Sequence, residues 1–275
     1  MKIISWNING LRAIWKKGFS GWLKNCGVDI VCLQEIKARE KDISAIKKGI
    51  SEMLDNDSET TKNDSETTTI DSETTFSESI FSFAEKPGYS GVAVLSKIKP
   101  IKYEKKIGLS RFDSEGRIII SEFPNFALLN LYLPHGGRQK ENLGYKLNVY
   151  KFLLDYLKKQ KNKNIILIGD FNIAHTDLDL DRPKQNKNNI MFTPEEKHQI
   201  DDIVKLGFTD TFRMFHKNGG HYTWWPYFAN ARERNLGWRI DYCFVSRPLV
   251  PRVKNAFILP KVTGSDHCPI GIEIF

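Results

Sequence analysis

Short apolar runs recur along the chain, and several end abruptly on a residue able to do chemistry. Asn164-Ile165-Ile166-Leu167-Ile168 runs into Gly169-Asp170-Phe171-Asn172. A run so short and so rich in β-branched residues reads as a buried strand, not a helix. The same reading gives strands at 2–7, ending on Asn7; at 29–35, ending on Gln34-Glu35; and at 80–84, 91–96, 117–123 and 126–133, the last carrying Tyr132. Further strands are expected at 164–170, at 241–246, which begins on Asp241, and near 270–274. Pro124-Asn125 between two apolar runs marks a hairpin. Helical patterns cover 40–50, 144–160 and 194–206. In the second, Leu147, Tyr150, Leu154 and Leu157 line one face; the third opens with Thr193-Pro194-Glu195-Glu196, an N-cap, a proline at the first helical position and acids in the first turn. Hairpins mixed with strand–helix units exclude a purely parallel sheet. The economical layout is α/β, with two packed mixed sheets and helices outside.

One stretch departs from this alternation. Residues 51–79 contain Asp57-Ser58-Glu59-Thr60-Thr61 and two further copies, starting at Asp64 and Asp71. The period is seven, yet no apolar a/d pattern supports a coiled coil. Such a polar, acidic, repetitive segment buries too little to offset its ordering entropy, so a disordered insertion within a single domain spanning 1–275 is expected.

With 275 residues the chain can bury a large core. No apolar run approaches the ~18 residues of a membrane span. Met1-Lys2 leads straight into a strand without a signal-peptide pattern. Cys26, Cys32, Cys243 and Cys268 lack zinc-like spacing and fit reduced thiols, so a cytoplasmic protein is expected. Net charge is +8, from 41 basic and 33 acidic residues; without 51–80 the balance is 40 against 24, or +16. A body so basic suits a polyanionic partner, nucleic acid first.

Glu35, Asp170, Asp241 and Asp266 are carboxylates at or just beyond strand ends. Buried carboxylates are costly unless paired or bound to a metal, and oxygen and amide ligands favour Mg²⁺ or Mn²⁺ over zinc. Asp241 and His267 suit a carboxylate–histidine pair, with the charged ring stabilising negative charge on a phosphoryl oxygen. Tyr132 is a candidate donor to phosphate. Cys268 beside His267 is a poor thiol nucleophile, because adjacent side chains of an extended segment point to opposite faces. Trp224-Trp225-Pro226-Tyr227-Phe228 and Trp238, interleaved with Arg232, Arg234 and Arg239, fit sugar or base packing with phosphate contact, or equally a core cluster.

Taken in order, Ser5-Trp6-Asn7-Ile8-Asn9-Gly10-Leu11-Arg12-Ala13, Leu33-Gln34-Glu35-Ile36-Lys37, Pro87-Gly88-Tyr89-Ser90-Gly91-Val92, Gly169 to His175, Asn230-Ala231-Arg232, Gly237 to Tyr242 and Gly264 to Pro269 resemble the exonuclease III type of abasic-site endonuclease, in the endonuclease/exonuclease/phosphatase superfamily. The resemblance covers nearly all of the chain outside 51–79. It implies a four-layer α/β sandwich of the DNase I-like kind, two packed mixed sheets flanked by helices. It also implies Mg²⁺-dependent cleavage of DNA 5′ to an abasic site, with 3′-exonuclease and 3′-phosphatase activity. By resemblance, Glu35 is the main metal ligand, Asn7 orients that site, and Asp266 assists. Asp170 positions and deprotonates water beside Asn172, and is also one of the metal ligands. His267, held by Asp241, and Tyr132 grip the phosphate. Trp224, Trp238 and Ile240 match the pocket for the flipped, baseless sugar, whose extrusion costs little because stacking and pairing are already lost. Gly10, Leu11, Arg12, Ala13 and Tyr89 match backbone and groove contacts, Arg138 lies in the loop near the scissile phosphate, and Asn186 and Asn189 match polar loop positions along the DNA. The implied partner is double-stranded DNA with abasic sites or 3′ ends, with no membrane and no obligate protein partner.

Two departures from the family pattern matter. His135-Gly136-Gly137-Arg138 follows Tyr-x-Pro where many relatives have Asn, which favours work on 3′ ends as the runner-up activity. The acidic insertion precedes a strand that rises toward Tyr89, so it is expected to emerge away from DNA. Other hydrolases of the superfamily, such as inositol-phosphate phosphatases, share the carboxylates and the histidine. The segment from Trp224 to Asp241 and the block from Trp6 to Ala13 favour DNA repair. A catalytically dead binding module is expected to have lost one of Glu35, Asp170, Asp241 or His267, and all four are present.

Overall fold

Strands whose two faces are both apolar can only be satisfied between layers, and the chain folds accordingly. A computed structural model describes residues 1–41, 76–160 and 163–275. Among them lie twelve strands: β1 (Lys2–Asn7), β2 (Ile30–Gln34), β3 (Glu78–Ser82), β4 (Val92–Ser96), β5 (Lys102–Glu104), β6 (Ile118–Phe123), β7 (Phe126–Tyr132), β8 (Ile165–Asp170), β9 (Phe208–Asp210), β10 (Asp241–Ser246), β11 (Val253–Ile258) and β12 (Ile270–Ile274). They form two six-stranded mixed sheets, in the orders β11-β12-β1-β2-β4-β3 and β5-β6-β7-β8-β10-β9. The parallel pairs are β1 with β2 and β7 with β8, at the heart of each sheet.

Alternation explains the unbroken apolar runs. Ile3, Ile30, Cys32, Val92 and Val94 of the first sheet pack against Ile119, Leu128, Ile166, Ile168, Cys243 and Val245 of the second. The residues between them face outward. Ile4, Trp6, Val31 and Leu33 are covered by the short helices α1 (Leu11–Trp15) and α2 (Phe19–Asn25), through Leu11, Ile14, Phe19 and Leu23. After α3 (Ser110–Ser114), helices α4 (Leu143–Lys159) and α5 (Pro194–Lys205) cover the outer face of the second sheet, through Val149, Tyr150, Leu153, Leu157, Ile200 and Ile203. The expected four-layer α/β sandwich is the fold observed. No helix among the described residues is long and apolar enough to cross a membrane.

The start of α5 follows its sequence signal. Thr193 Oγ1 accepts from the Glu196 N–H at 3.2 Å while Glu196 Oε2 accepts from the Thr193 N–H at 3.0 Å, a reciprocal capping box. Elsewhere the structure corrects the reading. On α4, Leu147 sits at the edge of the buried face and Lys146 lies inside it. The strand expected at 80–84 runs from 78 to 82, because pairing with β4 ends at the Ser82–Val92 rung although Phe83 and Ala84 remain apolar. The helix expected at 40–50 and most of the acidic insertion lie outside the described residues. Strands β5, β9 and β11, the short helices α1, α2 and α3, and α6 (Thr211–Phe215) were not expected.

The direction of β3 bears on the insertion. Ser82 and Gln34 both pair with Val92, whereas Glu78 and Ile30 both pair with Ser96. β3 therefore rises in the same direction as β2, with β4 between them, toward the end where Glu35 lies, and the described chain resumes at Phe76 at the opposite end. Deleting residues 55–75 is expected to leave turnover within about twofold at moderate salt, since charges beyond ~8 Å are screened there. Steady-state rates of the deletion variant check this; a large loss would place the insertion near the chemistry.

Candidate active site

Strands β1, β2, β7 and β8 all run toward one end of the sandwich, β10 starts there, and the loop before β12 crosses it. Register fixes the meeting point: Asn7 pairs with Gln34, Tyr132 with Asp170, and Asp170 with Asp241. Gly169 sits where β8 closes on β7. Its φ is +143°, and a Cβ there would lie 1.9 Å from the Leu131 carbonyl oxygen, so only glycine fits. Just past their strands, Glu35 and Asn172 adopt left-handed backbone with φ of 51° and 52°. Such strain in non-glycine residues costs about 1 kcal/mol or more and persists where the surroundings over-determine it. Here the Glu35 carbonyl accepts from the Gly10 N–H at 2.7 Å and the Ile36 N–H donates to Gly91 O at 3.1 Å.

One amide joins the carboxylates. Asn7 Nδ2 donates to Glu35 Oε1 and to Asp170 Oδ2, both at 2.9 Å, while Asn7 Oδ1 accepts from the Asn9 N–H at 3.1 Å. Asp170 also accepts from the Asn172 N–H at 2.8 Å and from Asn172 Nδ2 at 3.2 Å. His267 Nδ1 lies 2.8 Å from Asp241 Oδ2, and His267 Nε2 lies 3.9 Å from Asp170 Oδ2. Burial favours a neutral ring, but Asp241 overrides it and lifts the His267 pKa to about 10. Burial and then Asp241 push the Asp170 pKa up to about 7, against His267 and the Asn7 hydrogen bond. Asp170 is thus a carboxylate able to take a proton near neutral pH, beside a histidine that keeps its own. Glu35 differs: burial is outweighed by Lys37, whose ammonium lies 2.8 Å from Glu35 Oε2, so its pKa is lowered. Asp266 is also lowered; burial yields to His267, to Asn9 Nδ2 at 2.9 Å and to Trp224 Nε1 at 3.0 Å.

Ligand atoms of Asp170, Asp241 and His267 lie within 4.8 Å of one another. The tight His267–Asp241 bond makes that trio a proton-holding group, while the carboxylates of Glu35 and Asp170, joined through Asn7, offer a hard oxygen donor set. Asp266 is linked to the same corner through Asn9, whose Oδ1 accepts from Lys37 Nζ at 2.5 Å. Tyr132 is raised well above the usual phenol range by burial and Glu35, so it remains a donor. Its ring stacks under Arg117, whose guanidinium lies 4.5 Å away, donates from Nη1 to Tyr132 O at 3.2 Å, and donates from Nη2 to the Tyr89 hydroxyl at 2.9 Å.

A groove of about 670 Å³ opens beside this cluster, lined by His135, Arg138, Asn186, Asn189, Trp224, Phe228 and Trp238 among others. Trp224 bridges to both Trp238 and His267, its ring 6.5 Å from the imidazole, which ties the groove wall to the site. Five candidate DNA-contact residues thus meet in one groove. Ile240 is buried behind the tryptophans with Leu180, Met191 and Phe192, supporting the wall. Asn186 Nδ2 donates to the carbonyls of Asp181 and Arg182, and Asn189 Nδ2 donates to Asn186 Oδ1, so both amides also shape their own loop. Arg12 and Ala13 are exposed on α1, and Tyr89 is half-buried.

Two of the interleaved arginines are structural. Arg232 donates to the carbonyls of Ser265, Pro260 and Val262, and so fixes the loop that carries Asp266. Arg239, buried, pairs with Asp179 and Asp210, both at 2.7 Å. Sequence reasoning gave no role to Asn9, Lys37 or Arg117. The spacing of Lys37, two residues after Glu35, was the one available signal; Arg117 reaches Tyr132 through cross-strand pairing that no local pattern reveals.

Two packed mixed sheets with carboxylates, an amide and a charged histidine at one end define a phosphoester hydrolase of the DNase I-like fold. The description "Endonuclease/Exonuclease/phosphatase family" matches residues 4–267. The chain is 38% identical to an exodeoxyribonuclease of Bacillus subtilis over all of this chain and 99% of that one. It is also 38% identical to the DNA repair nuclease APEX1 of Danio rerio, over 98% of this chain and 81% of that one. An AP endonuclease structure from Archaeoglobus fulgidus superposes with a TM-score of 0.83 at 26% identity, covering 100% of this chain and 99% of that one. The chain belongs to the endonuclease/exonuclease/phosphatase family, among the exonuclease III type DNA-repair nucleases.

The Asp179 cluster beneath Trp238 carries a pH prediction. Burial opposes ionisation of Asp179, but Arg239 and Arg213 hold its pKa down to about 2. Its contribution is therefore complete above the unfolded value near 3.9 and is lost as pH falls toward 2, worth roughly 2 kcal/mol. Denaturant unfolding of the Asp179→Asn variant against the parent is expected to show a deficit at pH 5 that shrinks by about that amount near pH 2.

Proposed function

We propose that the protein hydrolyses the DNA phosphodiester 5′ to an abasic site, with 3′-exonuclease and 3′-phosphatase activity, as a Mg²⁺-dependent enzyme that accepts Mn²⁺. One observation carries this reading: Asp170, held by Asn7 and Asn172, stands 3.9 Å from an Asp241-paired His267, which adjoins Trp224 of the groove wall. The names of the similar proteins support the substrate class. The carboxylate oxygens of Glu35, Asp170 and Asp266, with Asn7 orienting the first two, suit a hard divalent cation. Such an ion, when bound, polarises a phosphoryl oxygen.

The chain's own residues supply the rest. Asp170 orients a water molecule and takes its proton as the water oxygen attacks phosphorus and the bond to the 3′ oxygen breaks, and the departing 3′ oxygen takes a proton from solvent. Protonated His267 and the Tyr132 phenol donate to the non-bridging oxygens, where negative charge grows. Asn172 keeps Asp170 aimed. Trp224 and Trp238, backed by Ile240, receive the baseless sugar and exclude a base by size. Arg12, Ala13, Tyr89, Arg138, Asn186 and Asn189 line the path of the duplex. A second reading, 3′-end processing with weak abasic-site cleavage, is favoured by His135. This residue lines the groove and is kept toward the neutral form by burial and by Lys146.

An end-labelled duplex with one central abasic-site analogue tests both. With Mg²⁺, a single nick 5′ to the lesion is expected, lost with EDTA and reduced by about 10³-fold or more in Asp170→Asn. A ladder from the 3′ end without the nick selects the second reading. Absence of any metal-dependent cleavage overturns both.

A further inference from the structure

We propose that the buried Lys146–Glu196 pair is a positioning device that locks the catalytic loop and the groove floor into one geometry. Both side chains are fully buried, and their charged ends lie 2.6 Å apart. Burial alone pulls the Lys146 pKa down and Glu196 opposes that. A core this apolar, with Val149, Tyr150, Leu153 and Ile200 around the pair's own helices, has no packing need for two charges. Replacing such a pair by neutral residues of similar volume is often harmless to stability, so stability alone does not account for its presence here.

The hydrogen bonds supply one. Lys146 Nζ donates to the carbonyl of Asn172 at 2.6 Å and to the carbonyl of His135 at 3.1 Å. The first is the residue that holds Asp170; the second lines the groove. Glu196 Oε1 also accepts from the Met191 N–H at 3.0 Å, and Oε2 accepts from the Thr193 N–H, at the end of the loop that carries Asn186 and Asn189. Gly136 fits between them: a Cβ there would lie 2.8 Å from Ile190 and 3.3 Å from Lys146. Four backbone groups from three loops are thus satisfied by one ion pair. Asn172 stands in strained left-handed backbone, and the ammonium on its carbonyl is part of what holds it there. The pair touches no substrate; it acts through Asn172 and Asp170.

This inference deepens the nuclease reading and rests on it. The test is Lys146→Met combined with Glu196→Gln, a neutral pair that keeps an acceptor for one of the Met191 and Thr193 amides and removes both bonds to the carbonyls. Thermal unfolding, duplex affinity by fluorescence anisotropy and single-turnover cleavage are measured beside the wild type. The expected result is a folded protein with affinity within about threefold and a cleavage rate lower by about 30-fold. Lys146→Gln in the same Glu196→Gln background restores one donor; it is expected to recover part of the rate and serves as the test if methionine costs the fold. A folded variant that cleaves within threefold of wild type, or a rate that tracks stability alone across the two variants, overturns the inference. Failure of the wild type itself to cut the abasic duplex overturns the substrate reading instead. The pair is then tested on the 3′-ended duplex that the wild type does cut.

Discussion

Asn7 gives one amide hydrogen to a carboxylate of its own sheet and the other to a carboxylate of the facing sheet, and the site depends on that span. Glu35 belongs to the first sheet and Asp170 to the second, and each receives one 2.9 Å bond from the same nitrogen. The bonds fix the separation of the two carboxylates only if the sheets keep their relative register. A neighbouring pair of amides enforces this deeper in: Gln34 Nε2 donates to Asn130 Oδ1 at 2.7 Å, and Asn130 Nδ2 donates to the carbonyls of Leu33 and Ala93. Apolar packing between the sheets is strong but indifferent to small slides. A buried, directional amide pair is not, because any slide leaves a polar group unsatisfied at a cost of about 1–3 kcal/mol.

From that constraint the electrostatics follow. The second sheet brings Asp170 and Asp241 onto one rung, where two like charges in a buried place cannot both ionise freely. His267, arriving on a loop of the first sheet, settles the conflict by staying protonated against Asp241, and Asp170 takes the raised pKa. The division of labour between the two aspartates is thus set by which one the imidazole reaches at 2.8 Å. Glu35, beyond the reach of that bond, is paired with the Lys37 ammonium, which favours its ionised form.

The sequence revealed the centre of this machine better than its edges. Strand ends at Asn7, Glu35, Asp170 and Asp241 were legible because each closes an apolar run that must be buried on both faces, which fixes both the strand and the end at which its polar terminus emerges. The edge strands β5 and β9 were not, being three residues long and stabilised by neighbours far along the chain. β11 reads Val253-Lys254-Asn255-Ala256-Phe257-Ile258, and its register shifts between Val253 and Asn255, which breaks the alternation a strand reading needs. The roles of Arg239 and Arg232 were illegible for a related reason. An arginine beside tryptophans looks alike whether it faces phosphate or a buried aspartate, and only the fold puts Asp179 and Asp210 within 2.7 Å of Arg239.

The same logic accounts for where the site borrows rigidity. Strand ends position Asn7, Asp170 and Asp241 directly, but Asn172, His135 and the 186–193 segment are loops, and loops are the parts most easily displaced. Each is anchored by a charged group placed behind it: Lys146 and Glu196 behind the first two and the last, Arg232 behind the loop with Asp266, and Arg239 with Asp179 behind the tryptophan wall. A charge buried behind a loop has few alternative partners, so it tolerates little movement of the backbone that satisfies it. Precision at the catalytic end is thus built from two materials: amides that lock the sheets to each other, and buried ions that lock the loops to the sheets.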